Sequence, residues 1–234
     1  MPFTRLKSML FLIFQSLSAV LYSFIALLIA FTPYRFRYRV ITSWSKLVIW
    51  LARVICGLEY DIEGLENIPE KPAILLCNHQ SAWETLFLQV LLPYQCWVLK
   101  KSLLYIPFFG WGLALLEPIA IDRKKSASIK QLIRQGKQRL QQGRWIVIFP
   151  EGSRVLPGET KRFSRSGASL SQATQTPILP VAHNAGVFWP KNSFIKKPGK
   201  IKVIIGKPIS PEGKTFDELY EESTRWIQDK LKSF

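Results

Sequence analysis

Ala73-Ile74-Leu75-Leu76-Cys77-Asn78-His79-Gln80-Ser81-Ala82-Trp83-Glu84 reads as a buried strand running through a polar turn into a helix. Five apolar residues in succession suit a strand covered on both faces, as in parallel sheets. Polar residues follow at once. Ser81 with Glu84 three positions later has the spacing of a helix start.

The same grammar recurs along the chain. Residues 96–99, 118–121, 145–149, 178–182 and 201–205 are short apolar or β-branched runs bounded by turn residues, and they predict further buried strands. Residues 128–142 place Ile129, Leu132, Ile133, Gly136 and Leu140 on one stripe, with Gly143 as a stop, and predict a helix. Thr215 and Glu218 open a C-terminal helix with capping-box spacing, and Leu219, Ile227 and Leu231 give it an apolar face. Strands alternating with helices predict an α/β domain over residues 58–234, with a mixed, partly parallel central sheet flanked by helices.

Ligand sites in such sheets lie off the strand ends. Here Asn78-His79, Lys100-Lys101, Asp122-Arg123, Glu151-Gly152-Ser153-Arg154 and His183-Asn184 each follow a predicted strand. On one continuous helix His79 and Glu84 would point about 140° apart. They meet only if the histidine lies in the turn and the acid on the first helical turn. A carboxylate on one ring nitrogen would then fix the tautomer and leave the other nitrogen as a base. The alternative is a plain helix start in which Glu84 returns to a backbone N–H and His79 is structural. Ser81 lacks a G-x-S-x-G elbow and is a poor candidate nucleophile. Lys100-Lys101 leads into an aromatic segment, Ile106-Pro107-Phe108-Phe109-Gly110, that suits either a lipid grip or a packed loop. Gly152, Ser153 and Arg154 offer close backbone approach, a hydroxyl and bidentate phosphate contact, with Arg123 able to complete a clamp. An ordinary strand-to-loop turn would look the same.

Residues 1–57 differ in character. No charged residue lies between Lys7 and Arg35, and residues 9–31 are almost wholly apolar, long enough to span a bilayer of about 20 residues' depth. A cleaved signal peptide would have a shorter apolar core and a small-residue cleavage site. Residues 40–55 interleave Trp44, Trp50 and aliphatics with Lys46 and Arg53, an interfacial pattern. The arm therefore predicts a hydrophobic two-helix membrane anchor, either spanning plus interfacial or wholly monotopic. Cations flank the apolar run on both sides, with a slight lean towards a cytoplasmic C-terminal side.

The formal net charge of +16 points to an anionic surface or a phosphorylated substrate. The basic residues are dispersed and carry no nucleic-acid motif, so nucleic acid is not expected. Three cysteines, Cys56, Cys77 and Cys96, have no metal or C-x-x-C spacing and suit a reducing compartment.

Taken in order, Asn78-His79-Gln80-Ser81…Glu84, Ile106-Pro107-Phe108-Phe109-Gly110 with Ile121-Asp122-Arg123, Phe149-Pro150-Glu151-Gly152-Ser153-Arg154 and Leu179-Pro180-Val181-Ala182-His183-Asn184 resemble the 1-acyl-sn-glycerol-3-phosphate acyltransferase family of the glycerolipid acyltransferases. The resemblance covers roughly residues 60 to 210. It implies acyl transfer from acyl-CoA or acyl-carrier protein to the free hydroxyl of lysophosphatidic acid, forming phosphatidic acid in phospholipid biosynthesis. It also implies membrane lipids as partners, no metal or organic cofactor, and an inner-membrane location with the catalytic domain facing the cytosol. His79 stands at the family's base and Glu84 at its acidic partner. Lys100 opens the second block, Arg123, Glu151, Gly152, Ser153 and Arg154 fall on acceptor-phosphate positions, and His183 shapes a loop. Departures exist: Glu84 stands where Asp is usual, Ser153 where Thr is usual, and Val155 where a small polar residue is common. Phe163-Ser164-Arg165-Ser166-Gly167 replaces a more basic turn. These leave open an acceptor with another headgroup, a non-catalytic lipid-binding protein, or a hydrolase using water.

Overall fold

The computed structural model describes residues 2–122 and 127–234. Among the described residues seven strands form one sheet: β1 (Leu58–Glu63), β2 (Ile74–Cys77), β3 (Gln95–Lys100), β4 (Ile119–Ile121), β5 (Trp145–Ile148), β6 (Ile178–His183) and β7 (Gly199–Ile205). Their spatial order is β1-β7-β6-β2-β5-β3-β4. Strands β6, β2, β5, β3 and β4 are mutually parallel, whereas β7 runs antiparallel to β6 and carries β1 parallel to itself. The sheet is thus mixed and mostly parallel, as the apolar runs predict.

Those runs are continuous because both faces are covered. In β2, Leu75 and Cys77 join one buried cluster, while Ile74 and Leu76 join the other. The first cluster lies under α1 (Pro2–Leu28), α2 (Tyr34–Cys56) and α3 (Trp83–Leu91). The second lies under α5 (Ser128–Gln141), α6 (Ser166–Thr174) and α8 (Phe216–Lys232). Between β3 and β4 the aromatic segment forms a 3₁₀ turn (Lys101–Tyr105) and α4 (Phe109–Leu115); a short α7 (Ala185–Phe188) follows β6. The expected capping box opens α8: Thr215 Oγ1 accepts the Glu218 N–H at 3.3 Å, and Glu218 Oε2 accepts the Thr215 N–H at 2.8 Å.

The N-terminal arm is docked along its length. Ser8 Oγ accepts the Lys196 N–H at 3.0 Å, Phe11 meets Trp189 edge-on at 5.1 Å, and Phe24 lies 6.1 Å from Phe108. Helix α2 is fastened by charge. The Glu117 carboxylate receives Arg37 at 2.8 Å and both Arg139 and Arg144 at 3.0 Å, joining α2 to α5 and to the start of β5. The opposite side of α1 stays bare, with Leu10, Ile13, Phe14, Leu17, Leu21 and Leu28 exposed. It is long and apolar enough to cross a membrane.

Candidate active site

Strand β2 stops at Cys77 and α3 starts at Trp83, so residues 78–82 form the intervening turn. That turn removes the angular problem between His79 and Glu84. The His79 ring Nδ1 lies 2.8 Å from Glu84 Oε1. The same oxygen accepts the backbone N–H of Gln80 at 2.9 Å and of Ser81 at 2.8 Å, while Ser81 Oγ accepts the Trp83 N–H at 3.1 Å. The helix-start reading and the imidazole reading are therefore one arrangement.

Glu84 is fully buried. Burial alone would raise its pKa, but the hydrogen bonds from His79 and the Ser81 N–H hold it below the ordinary carboxylate value. An ionised carboxylate only accepts hydrogen bonds. Nδ1 of His79 must then carry the ring hydrogen, which leaves Nε2 with the lone pair. The ring is further fixed by stacking on Phe149, with centroids 4.1 Å apart and planes 13° apart.

His183 has the opposite tautomer and is fully occupied. Its Nε2–H donates to the Asn78 carbonyl at 2.9 Å, and its Nδ1 accepts the Ala185 N–H at 3.2 Å. Asn78 in turn clasps β6, its amide donating to the His183 carbonyl at 3.0 Å and its oxygen accepting the His183 N–H at 2.9 Å. Burial pushes the His183 pKa down, so this ring stays neutral and structural.

The His79 backbone is gripped from both sides by the loop after β5. Its N–H donates to Glu151 Oε1 at 3.1 Å, and its carbonyl accepts the Val155 N–H at 2.8 Å. Gly152 permits that loop by adopting φ 70°, a conformation costly for residues with a Cβ. Burial, reinforced by the nearby Glu84 charge, pushes the Glu151 pKa from 4.5 up to about 7, against its backbone bonds and Lys161. The folded state thus binds a proton that the unfolded chain has already lost between these values. This contribution to stability is present at pH 4 and is lost as pH rises through about 7, on the order of 3 kcal/mol. Glu151→Gln keeps the acceptor for His79 and removes the titration. Denaturation midpoints across pH 5–8 are expected to fall more steeply for the wild type than for this variant; parallel curves would contradict the assignment.

A cavity of about 240 Å³ opens beside His79, with Phe149, Gly152 and Lys100 also in its wall. Its remaining lining is largely apolar and comes from the arm as well as the sheet: Ala19 and Tyr22 of α1, Ile41 and Trp44 of α2, Leu86 of α3, and Trp97 of β3. Reading the sequence for chemistry misses these wall residues. The available signal is small side chains at helical spacing, Ala19, Ser23 and Ala26, on an otherwise bulky helix.

The other expected site residues fall as follows. Lys100 is exposed at the end of β3. Glu151 turns its carboxylate inward to the His79 backbone rather than outward. Ser153 Oγ accepts from Lys161 Nζ at 2.7 Å, and the Arg154 carbonyl accepts from Lys191 Nζ at 2.9 Å. Arg123 lies outside the described residues.

Known proteins resemble this chain in sequence and in fold. The Acyltransferase family model matches residues 59–184. A 1-acyl-sn-glycerol-3-phosphate acyltransferase of Pseudomonas aeruginosa is 44% identical over 232 residues, 97% of this chain and 90% of the relative. A protein of the same name from Saccharomyces cerevisiae is 33% identical over 185 residues, 76% of this chain and 60% of that protein. The crystal structure of the 1-acyl-sn-glycerophosphate (LPA) acyltransferase PlsC from Thermotoga maritima superposes with a TM-score of 0.79 at 21% identity, covering 97% of this chain and 94% of that one. With a family match over more than half its length and a relative so similar end to end, the chain belongs to the 1-acyl-sn-glycerol-3-phosphate acyltransferases.

Proposed function

We propose that the chain transfers a fatty acyl group from an acyl thioester to the free hydroxyl of 1-acylglycerol 3-phosphate, forming phosphatidate for phospholipid synthesis. The observation that carries this reading is the juxtaposition of a carboxylate-held imidazole with an apolar cavity and a cationic loop. The acyl chain occupies the cavity, which brings the thioester carbonyl to His79. The acceptor phosphate seats on the side of Arg154 and presents its hydroxyl to Nε2. Holding both reactants in one orientation removes much of the entropic cost of the encounter.

His79 takes the hydroxyl proton as the oxygen attacks the carbonyl. Developing imidazolium charge is stabilised by Glu84, and backbone N–H groups or Lys100 steady the oxyanion. The C–S bond then breaks, and the proton leaves with the thiol. Thiols are far stronger acids than alcohols, so this departure needs little help. Acyl-CoA and acyl-carrier protein present the same thioester and either serves this scheme, with no metal or organic cofactor. Glu151 acts in it as a positioning residue, through the His79 backbone, and not as a phosphate ligand.

The apolar α1 associates the protein with a membrane. Its contacts with the rest of the domain at Ser8, Phe11 and Phe24 span about 24 Å of helix at 1.5 Å per residue. A helix crossing the bilayer would leave the domain after one end. We therefore read α1 and α2 as a monotopic anchor lying in one leaflet, with exposed Phe108, Phe109 and Trp111 beside it. The three buried free thiols suit the cytosolic side. Tags placed at the two termini are expected to be cut by protease from the same membrane face; cleavage from opposite faces would make α1 a spanning helix.

The activity is tested with membranes containing the chain, an isotope-labelled acyl thioester and a panel of lysolipids. Labelled phosphatidate is the expected product by mass spectrometry. Labelled free fatty acid, or acylation of a different headgroup alone, would overturn the reading.

A further inference from the structure

The loop after β5 brings two ammonium groups to Ser153 and Arg154. Lys161, further along the same loop, donates to Ser153 Oγ at 2.7 Å. Lys191 arrives from beyond α7, and donates to the Arg154 carbonyl at 2.9 Å. Residues 153 and 154 are thus flanked by cations from segments 8 and 37 positions away in sequence.

Among the described residues, no carboxylate stands within ion-pair distance of Arg154, Lys161 or Lys191. Glu159, the nearest acid in sequence, turns one oxygen to the Leu156 N–H at 3.4 Å. Glu151 is turned inward to the His79 backbone. Two ammonium groups held at adjacent residues without a counter-charge form an arrangement that an anion placed between them would stabilise.

The donor count agrees. Each ammonium has three N–H bonds. Lys161 is committed through one to Ser153, and Lys191 through one to Arg154, so both keep donors to spare. Because Ser153 Oγ accepts from Lys161, its own hydroxyl hydrogen is directed elsewhere and is available to an anionic oxygen. A fork from Arg154, a hydroxyl from Ser153 and two ammonium points would together match a tetrahedral dianion better than one arginine could.

We propose that Lys161 and Lys191 bind the phosphate monoester of the acceptor, forming with Arg154 and Ser153 the anion seat of this enzyme. This rests on the acyl-transfer reading above and deepens it. Both lysines lie outside the four motif blocks.

The test uses the full chain in detergent micelles with palmitoyl-CoA and lysophosphatidate, and compares Lys161→Met, Lys191→Met, the double variant and Lys191→Arg. Losing a hydrogen bond to a charged group is expected to raise the acceptor KM about tenfold in each single variant, with more in the double. The KM for palmitoyl-CoA and kcat are expected to stay within about threefold. Inhibition by glycerol 3-phosphate is expected to weaken in parallel, and Lys191→Arg to retain most affinity because it restores the charge. An unchanged acceptor KM would overturn the proposal. So would an equal loss for both substrates that Lys191→Arg does not rescue, which is the signature of a lysine that merely shapes the loop. If the wild type fails to acylate lysophosphatidate at all, the functional reading falls first; if it succeeds and the variants match it, only the seat is wrong.

Discussion

His79→Ala is expected to lower kcat for acyl transfer by about 10²–10⁴, the usual worth of a positioned general base, while leaving a folded protein. The fold survives because the bonds that hold this residue in place belong to its backbone. Its N–H to Glu151 and its carbonyl from Val155 are indifferent to the side chain. Glu84 Oε1 loses one donor of three and keeps the Gln80 and Ser81 N–H groups. Substrate affinities are expected to change little, because the ring acts on the proton and not on the phosphate or the chain. Transfer within about threefold of the wild type would remove His79 from the mechanism.

Glu84→Gln isolates charge from shape, and its expected cost in kcat is about 10²–10⁴. The amide oxygen can stand where Oε1 stands and keep the three donors it receives. The amide NH₂ then replaces Oε2, an atom with no hydrogen-bond partner that lies 4.0 Å from His183 Nε2. Two donors would face each other in a sealed space, and the imidazolium formed during transfer would lack its counter-charge. Reduced stability is expected alongside the lost rate. Glu84→Asp restores the charge but draws it back by about 1.5 Å, and is expected to fall between the other two. A glutamine variant with wild-type kcat would show that the carboxylate serves only the helix start.

How much of this was legible in the chain depended on distance along it. Strands β2, β5 and β6 announce themselves because both faces are buried, which turns them into unbroken apolar runs. Strand β1 escapes notice because it lies at the sheet edge. Glu59, Asp61 and Glu63 alternate along it, and only Leu58 is fully covered. The start of α2 at Tyr34, ahead of residue 40, is hidden by Arg35, Arg37 and Arg39. These look like membrane flanks, yet Arg37 reaches Glu117 and the Leu115 carbonyl some 80 positions on. The His79–Glu84 pair is legible because its members stand only five positions apart. Glu151's hold on the His79 backbone spans 72 positions, and no local pattern encodes it. The cavity wall is similarly invisible, since α1 and α2 look like an anchor alone until their small residues are seen against the sheet.

The account depends on an imidazole whose Nδ1 is committed to Glu84 and whose Nε2 is free to take a proton. The chain has only two histidines, so nitrogen-15 spectra of histidine-labelled protein in micelles can resolve both rings, with His79→Ala identifying which signals belong to His79. With both rings neutral, His79 is predicted to carry its hydrogen on Nδ1 with a bare Nε2, and His183 to show the reverse pattern. A His79 ring with its hydrogen on Nε2 under those conditions would contradict the proposed catalytic base.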